Sequence, residues 1–311
     1  MVSRRNFLKC IGAASASMLL PVNAYSSKSI AKNAGSNVRY CLNTSTIRGQ
    51  GLDLYQTIEI TAKAGYDGIE LWVDDVKKYL NDGKTLASLK KHIDDSRLKV
   101  ENAIGFAQWI VDDDVVRKAA FVQMEEEMKI MAELGCERIA APPAGATSGK
   151  ILDLAMVAQR YRELIELGIK TGVMPQLEIW GASLNLSRLG QALCVVADAN
   201  HAKARILADA YHMYRGGSGF DGLQMMSGTA CEIFHVNDYP ATPEREKLTD
   251  GDRVFPGDGI APLKQIIECL LRAGGTKVLS LELFNADYWK RDALEVAIEG
   301  LNKTRKIVEK A

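Results

Sequence analysis

Four acidic or imidazole side chains lie near the ends of short apolar segments in the second half of the chain. Glu178 comes late in a run that ends at residue 180, and Asp209 ends a run that starts at residue 206. His235 lies in the run 233–236, and Glu282 lies inside the run 279–284. Three carboxylates buried together are costly unless a cation balances them. The four residues therefore predict a centre that binds one divalent metal ion.

The predicted ligands combine carboxylate oxygen with imidazole nitrogen and include no cysteine. Such a set suits Mn2+, Mg2+, Co2+ or Zn2+, and its oxygen-rich balance favours the harder ions, with Mn2+ as the first expectation. The lack of cysteine ligands argues against a structural zinc site. A single carboxylate at a strand end is usually a loop cap or an ion-pair partner, so the joint pattern is what indicates a metal.

The elements that would position these residues alternate regularly from residue 38 onward. Alternating strands and helices call for a parallel sheet with helical crossovers, and eight repeats favour a closed barrel. No strand is followed by a glycine-rich phosphate-binding motif, so a nucleotide-binding sheet has little support. We expect an α/β fold, a single (β/α)8 TIM barrel of residues 38–311, with strands at 38–42, 68–72, 99–104, 138–141, 173–180, 204–210, 231–236 and 277–283.

In a barrel of this type the active site lies at the carboxyl ends of the strands. The four predicted ligands would then converge at one mouth. Glu70, late in the second strand, is a further candidate for substrate binding. Three tryptophans could form an apolar wall against a sugar ring, although each could equally be a packing residue at the rim; they are Trp72, Trp109 and Trp180.

The N-terminus has the pattern of an export signal. Paired arginines at positions 4 and 5 precede Phe-Leu-Lys, an apolar run follows to residue 20, and small residues lead to Ala24. This pattern resembles a twin-arginine signal, which exports folded proteins. We expect residues 1–24 to be a removed signal peptide, 25–37 to be a flexible segment, and the protein to be periplasmic. An uncleaved anchor is the alternative, although the run is shorter than the roughly 20 residues that span a membrane.

Composition narrows the classes of partner. Lysine and arginine number 39, as do aspartate and glutamate, so the formal net charge of zero argues against nucleic acid as the main partner. Six cysteines occur, five of them after the leader, in apolar surroundings and without C-x-x-C spacing. Buried free thiols are therefore expected rather than a disulfide framework. Nothing in the sequence fixes the oligomeric state, and a homo-oligomer remains open.

From residue 40 to about residue 308 the chain resembles the xylose isomerase-like superfamily of sugar isomerases and epimerases. The segment 64–71 (AGYDGIEL) is similar to the family's second-strand region and marks the fold. More specific together are the D-x-x-H piece at 209–212 and the H-V-N-D piece at 235–238. The resemblance also includes 252–259 (DRVFPGDG) and 281–285 (LELFN).

Similarity to the ketose 3-epimerases of this group implies roles for individual residues. Residues matching Glu178, Asp209, His235 and Glu282 bind the metal there, and the two glutamates also act as acid and base. The residue matching His212 contacts the sugar, and the one matching Arg253 contacts substrate or stabilises charge. On the residues alone, His212 could instead be a loop histidine bonded to backbone, and Arg253 a surface arginine.

The expected function is a divalent-metal-dependent isomerase or epimerase of a free sugar or keto-sugar. Loss of a proton beside a carbonyl would give a metal-stabilised enediolate. A lyase or hydratase acting on 3-keto-glycosides with the same groups is the alternative. A non-catalytic sugar-binding protein is a third reading, against which the intact glutamate pair speaks. An abasic-DNA endonuclease would need more ligands than the chain's four histidines supply, and a basic groove.

Overall fold

The structure is a computed structural model that describes residues 37–311. The predicted signal peptide, 1–24, and nearly all of the predicted flexible segment, 25–37, lie outside the described residues, so both stay predictions. Among the residues described, no helix is long and apolar enough to cross a membrane.

Eight parallel strands close into a barrel in which each strand pairs with its neighbours in sequence. The last strand pairs with the first, in parallel, from Val38 opposite Lys277 to Leu42 opposite Leu281. The predicted (β/α)8 barrel is thus confirmed. The strands are β1 Val38–Asn43, β2 Gly68–Trp72, β3 Lys99–Ile104, β4 Arg138–Ala141, β5 Met174–Glu178, β6 Ile206–Asp209, β7 Ile233–Val236 and β8 Lys277–Leu281.

Helices surround this barrel and connect successive strands. They are α1 Leu54–Ala64, α2 Val73–Asn81, α3 Leu86–Asp95, α4 Asp114–Glu133, α5 Leu154–Thr171, α6 Leu189–Asp198, α7 Ala210–Arg215, α8 Leu263–Arg272 and α9 Ala293–Val308. The sequence did not predict α2 or α7. Both begin at the residue directly after a strand, with no intervening turn residue to mark the boundary.

The start of α7 matters for the site. Asp209 ends β6 and is also the N-cap of α7, where its Oδ1 accepts a hydrogen bond of 2.8 Å from the backbone N–H of His212. An aspartate at this position stabilises a helix start. The cap therefore holds one carboxylate oxygen and fixes the direction of the other.

The barrel interior changes from apolar to polar along the barrel axis. Apolar side chains and buried thiols fill much of it, whereas the layer just beneath the mouth contains Glu70, Asn102, Gln176 and Ser280, all fully buried. In the described part of the chain, all five cysteines are free, and only Cys194 is exposed. The free thiols agree with the expectation, whereas the expectation that all five are buried was wrong for Cys194. A buried polar layer directly beneath a barrel mouth needs internal partners, and those partners define the site.

Candidate active site

A cavity of about 320 Å³ opens at the carboxyl ends of the strands. Two predicted catalytic glutamates, Glu178 and Glu282, line it together with His212 and Arg253. Four aromatic rings complete the wall: Trp72, Phe106, Trp180 and Phe284. The structure therefore brings charged and aromatic groups together in one concave site, which is the usual form of a small-molecule binding site.

Three of the four predicted ligands form a compact buried cluster. Asp209, His235 and Glu282 each offer one ligand atom, and these atoms lie within 4.8 Å of one another. His235 Nδ1 lies 3.2 Å from Glu282 Oε2 and 3.7 Å from Asp209 Oδ2. Register explains the approach, because Asp209 and His235 lie opposite each other on β6 and β7.

Glu178, the fourth predicted ligand, lies at the cavity wall and is not part of that cluster. It ends β5, it is buried, and its Oε2 has no hydrogen-bond partner. Burial raises the pKa of the Glu178 carboxyl to about 8. For Glu282, burial by itself would raise the pKa, but the charge of His235, its contact with the carboxylate and the charge of Arg253 together lower the pKa. The pKa values of the two glutamates at this cavity are thus shifted in opposite directions. Such a difference suits a pair of carboxyl groups that exchange protons with a substrate.

Glu70 is placed differently from the prediction. It does not line the cavity but lies fully buried beneath it, where its Oε1 accepts a hydrogen bond of 3.0 Å from His235 Nε2. Three further donors, from Asn102, Asn43 and Ser280, reach its two oxygens at 2.6–2.7 Å. A substrate cannot reach a carboxylate enclosed in this way. Glu70 therefore contacts His235 and does not line the cavity.

The hydrogen bond with Glu70 also fixes the orientation of the His235 ring. With Nε2–H donating to Glu70, Nδ1 is directed toward Asp209 and Glu282. A carboxylate that orients a histidine in this way is a common support for a metal ligand. The charges of Glu282 and Glu70 outweigh burial and raise the pKa of His235. The cluster thus attracts positive charge at Nδ1, and its donor set fits a divalent ion.

Two asparagines that were not predicted as site residues hold two of the predicted ligands. Asn237 Nδ2 donates to Asp209 Oδ2 at 2.9 Å, and Asn43 Nδ2 donates to Glu282 Oε1 at 3.0 Å. Asn43 ends β1, and Asn237 follows directly after β7. The available signal was the same as for the acidic ligands: a polar residue at the exit of an apolar strand. The predicted site includes only strand-end residues whose side chains ionise, and an asparagine side chain does not.

His212 and Arg253 both lie in the site. The Arg253 side chain is only 1% exposed, which excludes a surface arginine. Its Nη1 lies 2.7 Å from Glu282 Oε2 and 3.2 Å from Asp209 Oδ2, and Nη2 lies 3.0 Å from His212 Nε2. Asp250 makes a further ion pair with Nη2. His212 Nδ1 accepts from the backbone N–H of Gly181 at 3.2 Å, so the backbone contact considered for a loop histidine is present as well.

The aromatic wall differs from the prediction at one position. Trp72 and Trp180 line the cavity as predicted, but Trp109 is fully buried away from it. Its Nε1–H donates to the carbonyl of Pro142 at 2.8 Å, and its ring packs at 6.0 Å from Tyr161. The chain after β3 turns so that this large ring joins the hydrophobic core. Phe106 takes the place on the wall, 5.1 Å from Trp72 and 6.0 Å from Trp180.

One carboxylate fixes the loop that carries Arg253. Asp238 and Val254 form an antiparallel bridge, so the loop returns to the exit of β7. Asp238 Oδ2 accepts from the backbone N–H groups of Gly257 and Gly259 at 3.0 and 3.1 Å, and Oδ1 accepts from Ala261 and Tyr239, both at 2.8 Å. An added Cβ at Gly259 would lie 2.3 Å from Asp238 Oδ1, so the backbone can approach only as glycine.

We expect Asp238→Asn to loosen this loop. The amide nitrogen would replace one acceptor oxygen and face backbone donors, and each hydrogen bond to a charged group contributes about 1.5–3 kcal/mol. Hydrogen exchange at the amides of Gly257 and Gly259 should speed up by at least about tenfold, and the KM for substrate should rise as Arg253 loses its position. Asp258→Asn in the same loop is the matched control, because the Asp258 carboxylate pairs with Lys303 near the surface. Equal exchange rates in the two variants would contradict the role given to Asp238.

Comparison with known proteins adds independent information. A family model described as a xylose isomerase-like TIM barrel matches residues 58–307. The inosose isomerase of Bacillus velezensis is 28% identical over 280 residues, which span 88% of this chain and 98% of that protein. The 3-dehydroshikimate dehydratase of Pseudomonas aeruginosa is 24% identical over 83% of this chain but only 40% of its own length. A crystal structure of the IolI protein with a zinc atom has a TM-score of 0.79 and 26% identity, and the match covers 88% of this chain and 98% of that chain.

Proposed function

Because the chain belongs to the xylose isomerase-like TIM barrel family, we propose that it is a metal-dependent isomerase or epimerase of an uncharged sugar or keto-sugar. One observation carries the proposal: a buried cluster of Asp209, His235 and Glu282 opens onto an aromatic-lined cavity that also contains Glu178. The similarity to inosose isomerases over most of both chains supports the same class of reaction.

Asp209, His235 and Glu282 would hold the ion, and Glu178 would join them or act from the wall. When bound, a divalent ion would polarise a substrate carbonyl and stabilise the charge that develops as a neighbouring proton leaves. Manganese remains the first expectation, and the zinc of the IolI structure makes zinc the principal alternative.

The glutamate pair would move the proton. Glu178 Oε2 is at the cavity without a hydrogen-bond partner, so it is available to give or take a proton. Glu282 is held at both oxygens, by Asn43 and by Arg253, so its direction is fixed. One carboxylate removes the proton beside the carbonyl and the other returns a proton, which inverts a carbon or moves the carbonyl. His212 would orient a substrate hydroxyl.

The cavity favours a neutral, monocyclic substrate. Among the described residues that line it, Arg253 is the only lysine or arginine, and three carboxylates already surround its guanidinium. A phosphate would lack a free cation there. The volume of about 320 Å³ is at the small end of ligand sites. A free ketose or a keto-cyclitol such as inosose fits these limits.

The predicted export of the protein is consistent with an unphosphorylated sugar as substrate. The twin-arginine-type signal predicted at residues 1–24 would place the folded enzyme in the periplasm, where phosphorylated sugars are scarce. This location is part of the proposal, and it can be tested by fractionating cells that express the full chain and its Arg4→Lys, Arg5→Lys variant.

A lyase is the second candidate. Loss of a proton next to a carbonyl also begins an elimination, and the similarity to a dehydratase favours this alternative. The substrate would then be a 3-keto-glycoside or another keto compound with a leaving group beside the acidic carbon. A protein that only binds sugar is the third candidate.

The deciding experiment is a solvent-deuterium exchange screen with added Mn2+ or Zn2+. Inosose, free ketohexoses and 3-keto-glycosides would be incubated in D2O and followed by mass spectrometry and NMR. An epimerase yields an isomer labelled at one carbon, and a lyase yields a product that has lost water or an aglycone. If none of the sugars acquired deuterium with either metal, the proton-transfer function would be wrong.

A further inference from the structure

The guanidinium of Arg253 occupies the space between two carboxylates of the metal cluster. Its Nη1 lies 2.7 Å from Glu282 Oε2 and 3.2 Å from Asp209 Oδ2, while the rings of Tyr211 and Phe284 flank it at 4.5 and 5.0 Å. An arginine that bridges two buried carboxylates supplies the positive charge that the cluster needs. The chain thus contains its own cation at this position.

An ion at His235 Nδ1 would need the same two oxygens. The other oxygen of each carboxylate is directed elsewhere: Asp209 Oδ1 accepts from the backbone of α7, and Glu282 Oε1 accepts from Asn43. Asp209 Oδ2 also accepts from Asn237, which occupies one of its two lone pairs. The oxygens nearest to His235 Nδ1 are Asp209 Oδ2 and Glu282 Oε2, which are those that Arg253 contacts. A divalent ion and a guanidinium sharing these oxygens would repel each other strongly at such short range.

The contact between Arg253 and His212 gives a second reason to expect the Arg253 side chain to move. A neutral imidazole has one acceptor nitrogen. His212 nevertheless meets two N–H donors, the backbone of Gly181 at Nδ1 and Arg253 at Nε2. One of these contacts must be a donor facing a donor. Because the Gly181 backbone is fixed by the fold, the side chain of Arg253 is the partner that can leave.

We propose that Arg253 is an internal counter-ion that competes with the metal ion for Asp209 Oδ2 and Glu282 Oε2. Binding of the ion releases the guanidinium from both oxygens and leaves it paired with Asp250, which also lines the cavity. Arg253 becomes available to substrate oxygens only in that state, so the ion binds before the sugar. The inference rests on the metal site of the proposed function, but it does not depend on which sugar is converted.

Metal titration of the ion-stripped full chain tests this competition without measuring catalysis. Isothermal calorimetry with MnCl2 would compare wild type with Arg253→Met, Arg253→Lys and the control Arg48→Met. Arg48 is a suitable control because it lies near the mouth, stacked at 3.6 Å on Trp72, and pairs with Asp75 rather than with the cluster. We expect Arg253→Met to bind Mn2+ at least about tenfold more tightly than wild type, and Arg48→Met to change the affinity less than about threefold.

The Arg253→Lys variant distinguishes the effect of the guanidinium's geometry from the effect of its positive charge. Its single ammonium keeps the charge but lacks the planar fork that reaches both oxygens, so we expect Mn2+ binding tighter than in wild type. Affinity equal to wild type in Arg253→Lys would mean that charge alone acts and would overturn the proposal. Weaker or unchanged binding in Arg253→Met would also overturn it, because Arg253 would then support the ligands.

Two further outcomes are informative. If Arg253→Met does not fold without an ion, Arg253→Gln and Arg253→Lys are titrated in its place. If neither wild type nor any Arg253 variant binds Mn2+ or Zn2+, the metal site itself is wrong, and both proposals fail. Binding by wild type with no gain in the variants contradicts the counter-ion alone and leaves the proposed enzyme function standing.

Discussion

Glu178→Gln is expected to reduce the rate of deuterium exchange into the substrate by about 10²–10⁴-fold, the usual range for loss of a general acid or base. The amide keeps the shape of the carboxyl group but cannot take up or release a proton. Glu178 Oε2 has no hydrogen-bond partner, so the replacement breaks no existing contact at that atom, and the fold should be retained.

Glu127→Gln is the matched control for this variant. Glu127 is also a buried glutamate with an unpartnered Oε2, but it lies on α4, bonded to Lys77 and Gln123, outside the cavity. Its exchange rate should equal that of wild type. Exchange in Glu178→Gln within about threefold of wild type would exclude Glu178 from proton transfer. Titration of the same variant with Mn2+ would decide whether Glu178 is also a ligand, a role that remains a prediction.

Glu70→Gln is expected to weaken Mn2+ binding by about 10–100-fold, as is typical when the group that orients a metal-binding histidine is lost. Four donors converge on the Glu70 carboxylate, and an amide would present its own N–H groups to some of them. We also expect the free energy of unfolding to fall by about 3–5 kcal/mol, because one partner of a buried ion pair is removed. Calorimetry and urea denaturation measure the two effects.

Glu101→Gln provides the comparison for Glu70→Gln. Glu101 is a buried carboxylate near the amino end of the barrel, paired with Arg39 and remote from the cavity lining. Its replacement should cost stability but leave Mn2+ affinity unchanged. If Glu70→Gln also bound Mn2+ as wild type does, His235 would not depend on Glu70 for its orientation.

Glu178 and Glu70 are placed differently although both lie on strands that lead to the same mouth. Glu178 ends its strand and lines the cavity, whereas Glu70 lies two residues before the end of β2 and points into the closed interior. Placement relative to the strand end therefore separates a carboxylate that lines the cavity from one that lies beneath it and contacts His235. The same distinction explains why Glu70, predicted to bind substrate, does not line the cavity.

Most of the fold could be predicted from the sequence, because the spacing of apolar residues and the alternation of strands with helices are local properties of the chain. Three strands, 68–72, 99–104 and 138–141, have the bounds that were predicted. The predicted strand 173–180 was too long, because the chain leaves the sheet after Glu178. The helices α2 and α7 were missed because no turn residue separates them from the preceding strands. The resemblance to the xylose isomerase-like family is confirmed by the family match.

The sequence by itself determined that Asp209, His235 and Glu282 lie at one height of a parallel barrel, because strand ends in such a barrel share one rim. Only the tertiary structure decided which groups face each other across that rim. Closure of the barrel and strand register bring Glu70 beneath His235, Asn43 against Glu282, and Arg253 from a distant loop between two carboxylates. These contacts join residues up to 239 positions apart, and no local pattern encodes such distances. The position of Trp109 could not be predicted for the same reason. A large apolar ring is equally suited to the core and to the cavity wall, and only the path of the loop after β3 decides between them.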